Sequence, residues 1–289
     1  MNRALVARRK AVNLGFLTLS VLAAGFGLMW LGLILTSLVL KGGAGISPDF
    51  FLKSTVPEGE QGGLANAIVG SLLMSGAAVA AGTPIGLLAG TYLAEYGRYT
   101  RTAFVVRFVN DILLSAPSIL IGVFIYEVMV VRNGLLGRIH EDWTGFSGWA
   151  GTAALSVIVI PVVIRTTENM LLLVPNSLRE AAAALGAPRS NIIRAVTWRA
   201  ARAGIVTGVL LAVSRISGET APLLFTAFGN SNMSTHMGQP IESLPHIIFI
   251  YANNAYEDWH TLAWAGALLI TAAVLTLSVI ARLLQPKRS

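Results

Sequence analysis

Six stretches of this chain carry almost no charge: 12–40, 64–94, 112–131, 149–164, 204–229 and 261–281. A helix crossing a hydrocarbon core of about 30 Å needs roughly 17–25 apolar residues, so each stretch predicts a membrane span. The third and fourth are short in their uncharged part. They are expected to extend through flanking charges, the third with Glu127 near one end and the fourth continuing past Arg165. The polar segments between spans alternate in character. The two ends of the chain and the segments 95–111 and 165–203 hold 16 of the 21 Lys and Arg. Segments 41–63, 127–148 and 230–260 hold only 4, together with 9 of the 14 acidic residues. Basic residues mark the cytoplasmic side, which predicts both termini inside.

Composition agrees with this pattern. Of 289 residues, 54% are hydrophobic and only 12% charged, against about 25% charged in soluble domains. The expected class is an all-α membrane protein of six transmembrane helices, in contact with lipid. Residues 1–11 form a cytoplasmic tail, 12–40 the first span, 64–283 the main transmembrane domain with an inner loop at 165–203, and 284–289 a second tail. Arg3, Arg8, Arg9 and Lys10 resemble the basic start of a signal peptide, but the uncharged run after them is 30 residues long. Signal-peptide apolar cores span about 7–15, so this is a retained helix. The net charge of +7 is topological, which removes nucleic acid as an expected partner. No cysteine is present, excluding disulfides and thiolate chemistry. His140, His236, His246 and His260 fall in outer loops without metal-ligand spacing, and no metal site is expected. Gly82, Gly86 and Gly90 form a small-xxx-small series suited to close helix packing. Pro84, Pro117 and Pro161 suggest bent helices around a cavity.

The stretch 204–229 stands apart because it carries Arg215 and Glu219 inside an otherwise apolar run. Arg215 is its twelfth residue and is expected near the membrane midplane. A charge there costs about 2.5–3.5 kcal/mol on lenient scales and needs a partner or water. Four residues apart, the two share one helix face, so Glu219 can hold Arg215 as an ion pair. Gly218 leaves the region uncrowded, and Pro222 frees the Gly218 carbonyl. Guanidinium matches tetrahedral oxyanions through paired hydrogen bonds. Two readings stay open: an anion displaces Glu219 from Arg215 during translocation, with Thr220 beside them, or the pair only locks helices together. Arg165, at the inner end of the fourth span, is either a second station for a departing anion or a topology-setting arginine.

The inner loop 165–203 contains Ser177-Leu178-Arg179-Glu180, a capping-box pattern. It predicts a short alanine-rich helix from Leu178 to Leu185, ended by Gly186, with Pro188 in the first turn of a second helix. A smooth rod of this kind either inserts into a groove on another protein or rests as a hairpin at the membrane surface.

Glu180-Ala181-Ala182, followed by Gly186 and Ile192, resembles the EAA loop of binding-protein-dependent ABC importer permeases. The Leu-Pro that closes the family's motif is absent, and Trp198-Arg199 stands near its place. The run Arg215-Ile216-Ser217-Gly218-Glu219-Thr220-Ala221-Pro222 resembles the phosphate permeases of that family. So do Asn110-Asp111 through Pro117-Ser118, and Arg165-Thr166-Thr167-Glu168-Asn169. The resemblance extends over nearly the whole chain and implies a type I ABC importer permease fold. It implies a translocation path at Arg215, Glu219, Thr220 and Arg165, and coupling to an ATPase through Glu180, Ala181, Ala182 and Gly186. It also implies a second homologous permease, two ATP-binding subunits and an extracytoplasmic phosphate-binding protein. A phosphate-binding loop needs Gly-Lys-Ser/Thr, and none of Lys10, Lys41, Lys53 or Lys287 follows a glycine. The chain is therefore expected to be non-catalytic and to carry no cofactor, with ATP and magnesium on a partner. Other expectations are a permease for molybdate, sulfate or phosphonate, or a self-contained channel or secondary transporter, which would show repeats and broken helices.

Overall fold

A computed structural model describes residues 3–56, 62–132, 134–135 and 145–283. His140 and the tail 284–289 lie outside the described residues. The chain forms twelve α-helices among the described residues: α1 Arg3–Gly45, α2 Pro48–Leu52, α3 Ala65–Thr91, α4 Arg101–Ser115, α5 Ser118–Ile125 and α6 Gly148–Leu172. They continue with α7 Asn176–Ala184, α8 Arg189–Asn191, α9 Trp198–Ile216, α10 Ala221–Thr226, α11 Leu244–Ala252 and α12 Glu257–Leu283. Wider π-helical turns extend α3 over Tyr92–Tyr96 and α5 over Tyr126–Val130, and join α8 to α9 over Ile192–Thr197.

Five helical runs are long and apolar enough to cross a membrane, and the bent pair Arg101–Ser115 with Ser118–Val130 makes up to six. Hydroxyl side chains fix several starts. Ser147 accepts from the Ala150 amide and Thr100 from the Ala103 amide, both at 3.2 Å, each satisfying a donor that the first turn leaves free. Prolines act unevenly. Pro84 and Pro161 sit inside continuous helices. Pro117 holds Ala116 in extended backbone (ψ 134°), as the residue before a proline prefers, and the chain turns through 104°. The third predicted span therefore starts earlier than 112 and is broken.

The centre of the bundle is α3 packed on α6. Lipid supplies no hydrophobic drive between helices, so close approach of small residues carries the association. Gly82, Gly86 and Gly90 face Val159, Val163 and Thr167 in turn. A Cβ on Gly86 would lie 2.6 Å from the Val163 Cβ. Gly86→Val should therefore overpack this seam at a cost of about 1–3 kcal/mol, lowering the melting temperature and the folded yield in detergent. Met74, Leu155, Val159, Val163, Ile216 and Leu223 fill the adjoining core. A half-buried ion pair ties in α4: Arg107 Nε donates to the buried Glu168 Oε1 at 2.6 Å, and Arg107 Nη2 to the Leu93 carbonyl at 3.1 Å.

At the end of the bundle where α3 and α6 begin, polar contacts hold the connections. Asn66 Nδ2 donates to Thr55 Oγ1 and to the Asn230 carbonyl, both at 2.8 Å. His246 lies inside α11, not in a loop, and its Nδ1 is 2.6 Å from Glu242 Oε1. Burial, helped by the Glu242 charge, pushes the neighbouring Tyr251 phenol up to about 12, so it stays neutral. The helix α1 leans on α12 only near its end, where Gly42 and Gly45 meet Trp264, Leu268 and Thr261. Its remaining apolar length is exposed, ready for lipid or another chain.

Candidate functional site

The predicted span 204–229 is not one helix. The run containing α9 extends from Arg189 to Ile216, and a short irregular segment at 217–220 precedes α10. Pro222 has no N–H for the Gly218 carbonyl, and the Ser217 hydroxyl instead turns back to the Val213 carbonyl at 2.8 Å. Arg215 thus sits in the last turn of α9 and Glu219 beyond it, so the expected shared helix face is lost. No ion pair joins them among the described residues. The shared helix face and the resting Arg215–Glu219 ion pair expected from the four-residue spacing are corrected by this break, which leaves the locking reading without its contact.

Depth follows from helix pairing. Gly204 meets Met170 and Gly208 meets Thr166, so α9 runs antiparallel to α6. Seven residues past Gly208, about 10 Å along the axis, Arg215 is level with the middle of Gly148–Leu172. It is exposed and without an ion pair or hydrogen bond among the described residues. Beside it Gly218 is exposed, with Ser217, Glu219 and Thr220 half-buried. Irregular backbone at membrane depth is tolerated only in a protein contact or along a water-filled cavity. A permanent charge there has the same requirement. This face is therefore built to meet something other than lipid.

Nearer the other end of α6, Arg165 Nη1 lies 3.8 Å from Asp111 Oδ1, the two side chains 48% and 56% exposed. Next to Asp111, the Asn110 amide oxygen is buried without a hydrogen-bond partner, as is the Thr167 hydroxyl. The elements α5 and α10 pack where Gly122 meets Pro222, so the two breaks in the bundle adjoin.

The second candidate region is α7. It starts at Asn176, with Pro175 rather than Ser177 at the cap and no side-chain capping bond. The capping-box expectation is corrected: Pro175, with its fixed φ, starts the helix earlier and leaves Ser177 and Glu180 inside it. Gly186 ends the turn as expected, at φ +78°, with its amide on the Ala183 carbonyl and that of Ala187 on Ala182. Ala181 and Ala183 are exposed and Ala182 half-buried, while Leu178 and Leu185 project 46% and 89% exposed.

Arg179, which the sequence singled out only as part of a motif, holds this helix in place. Its Nη2 donates to Glu95 Oε1 at 2.8 Å and to the Leu171 carbonyl at 2.7 Å, and its Nη1 to the Val174 carbonyl at 2.5 Å. Arg189 adds a contact to the Glu95 carbonyl. Glu95 is buried in the π-helical end of α3, so α7 is fastened to both central helices.

A broken-helix bundle with a mid-depth cation and an exposed helix fastened at one end has the architecture of a membrane permease. The chain belongs to the family of binding-protein-dependent transport system inner membrane components, whose pattern matches residues 82–289. It is similar to the phosphate transport system permease protein PstA of Pasteurella multocida, at 54% identity over 97% of both chains. The protein of the same name from Haemophilus influenzae is 54% identical over 95% of this chain and 94% of that one. The fold is shared with a chain of a bacterial alginate ABC transporter, solved with an alginate pentasaccharide-bound periplasmic protein. There the TM-score is 0.64 at 16% identity, covering 88% of each chain. The type I importer fold and the multi-pass inner-membrane location follow.

Proposed function

We propose that this chain is the permease subunit of an ATP-driven phosphate importer, forming half of the translocation path. The observation that carries this reading is Arg215, an uncompensated guanidinium at mid-depth beside a broken helix, in a chain more than half identical to phosphate permeases. Phosphate passes Arg215 as a transient bidentate partner, with the Thr220 hydroxyl and Glu219 at the adjacent break. Glu219 accepts a hydrogen bond from the proton that phosphate retains, and its charge speeds release, since conduction requires leaving as well as entering. The other wall of the path comes from a second, homologous permease.

Arg165 acts as a second station nearer the cytoplasm. An exposed ion pair contributes about 0–1 kcal/mol, so Arg165→Gln should leave folding unchanged and lower phosphate uptake several-fold. A residue that only sets topology would leave the uptake rate normal. Glu180, Ala181, Ala182 and Gly186 form the surface received by an ATP-binding subunit, two of which supply ATP and magnesium. Both termini and α7 lie in the cytoplasm, as the basic segments indicate. A phosphate-binding protein docks on the opposite face. The chain itself is non-catalytic and holds no cofactor.

Co-purification after mild detergent extraction tests the assembly. The expected result is an ATPase retained by the wild type and lost on Glu180→Lys or Gly186→Val. A chain purified alone that still conducts phosphate would overturn the importer reading in favour of a channel.

A further inference from the structure

Between α3 and α9 runs an open groove of about 530 Å³ whose walls and mouth differ in chemistry. Leu87, Ile205, Val206 and Val209 make its walls, while Arg194, Arg199 and Arg202 stand at its cytoplasmic end with Trp198. All three arginines are exposed, and none has an ion pair or hydrogen bond among the described residues. Trp198 is half-buried, its indole N–H donating to Thr91 Oγ1 at 3.2 Å, which fixes the ring where interfacial aromatics belong.

We infer that this groove binds an anionic phospholipid of the cytoplasmic leaflet, with its headgroup phosphate among Arg194, Arg199 and Arg202 and an acyl chain along Val206 and Val209. The argument is charge complementarity on an amphipathic surface. Basic pockets between transmembrane helices on the cytoplasmic side suit anionic headgroups, and guanidinium pairs with phosphate in a fork. An apolar helix of a partner permease would cover Leu87 and Val209 but leave three guanidinium groups without counter-charge. A phospholipid supplies both halves. The inference rests on the membrane orientation and is independent of the transported ion.

Native mass spectrometry of the assembled transporter, titrated with phosphatidylglycerol or phosphatidylcholine, tests it. The wild type should retain phosphatidylglycerol with at least about tenfold preference, given several basic residues at the surface. The triple change Arg194→Gln, Arg199→Gln, Arg202→Gln should bring that preference close to unity. Val206→Trp, which fills the groove and keeps every charge, should also reduce retention of phosphatidylglycerol. Unchanged retention in both variants would overturn the site. Loss in the triple variant alone would also overturn it, showing diffuse attraction in place of a groove. The chain has no cysteine of its own, so a Val206→Cys protein gives a clean further test. Efficient cross-linking of that position to the second permease in native membranes would overturn lipid as the occupant.

Discussion

Arg215→Ala is expected to lower ATP-dependent phosphate uptake by roughly ten- to a hundredfold while the transporter still assembles. The size follows from a hydrogen bond to a charged group, about 1.5–3 kcal/mol, withdrawn from the step where phosphate passes. Stability should move little, because the Arg215 side chain is exposed and makes no hydrogen bond or ion pair among the described residues whose loss would strand a partner. Surface changes of that kind stay within about 0.5 kcal/mol. Arg215→Lys keeps the charge and loses the planar fork, so its uptake should fall between those of alanine and wild type. Uptake assays at equal membrane abundance make the comparison. Full activity in both variants would remove Arg215 from the path.

Arg179→Ala should be as damaging by a different route. The Arg179 side chain is 18% exposed and that of Glu95 8%. Truncation leaves a buried carboxylate unpaired and releases the Leu171 and Val174 carbonyls. Breaking one side of a buried pair costs about 3–5 kcal/mol, concentrated where α7 joins the bundle. Uptake should fall at least about tenfold while the ATPase subunit keeps its basal hydrolysis, because movement of α7 no longer reaches α6. Arg179→Ala combined with Glu95→Ala should recover part of the loss, since the stranded charge is gone. No recovery would mean that Arg179 acts on the ATPase directly and not as a clamp.

The sequence made the membrane architecture legible because charge is expensive in lipid, so charge-free runs and basic segments mark spans and sides. Gly82, Gly86 and Gly90 were legible for the same economy of means: only backbone approach explains small residues at that spacing. The breaks were harder. Gly218 and Pro222 were visible, but a count of apolar residues treats them as local relaxations, and only the backbone shows that α9 stops at Ile216. That stop removed the pairing expected from the four-residue spacing of Arg215 and Glu219. At 112–131 Pro117 pointed to a bend, but its 104° size and the earlier start of the span did not show, because the α4 half begins among charged residues at Arg101. The clamp of Arg179 on Glu95 spans 84 residues, and no periodicity links positions so far apart. The alanine rod and its terminating Gly186 were readable locally; what fastens them was not.

The most direct measurement is radiolabelled anion uptake into proteoliposomes containing the assembled transporter, with a phosphate-binding protein outside and ATP inside. The expected result is accumulation of phosphate that needs ATP, falls roughly ten- to a hundredfold with Arg215→Ala, and is not matched by sulfate or molybdate. Uptake that proceeds without ATP, or accumulation of another oxyanion in preference to phosphate, would contradict the assignment.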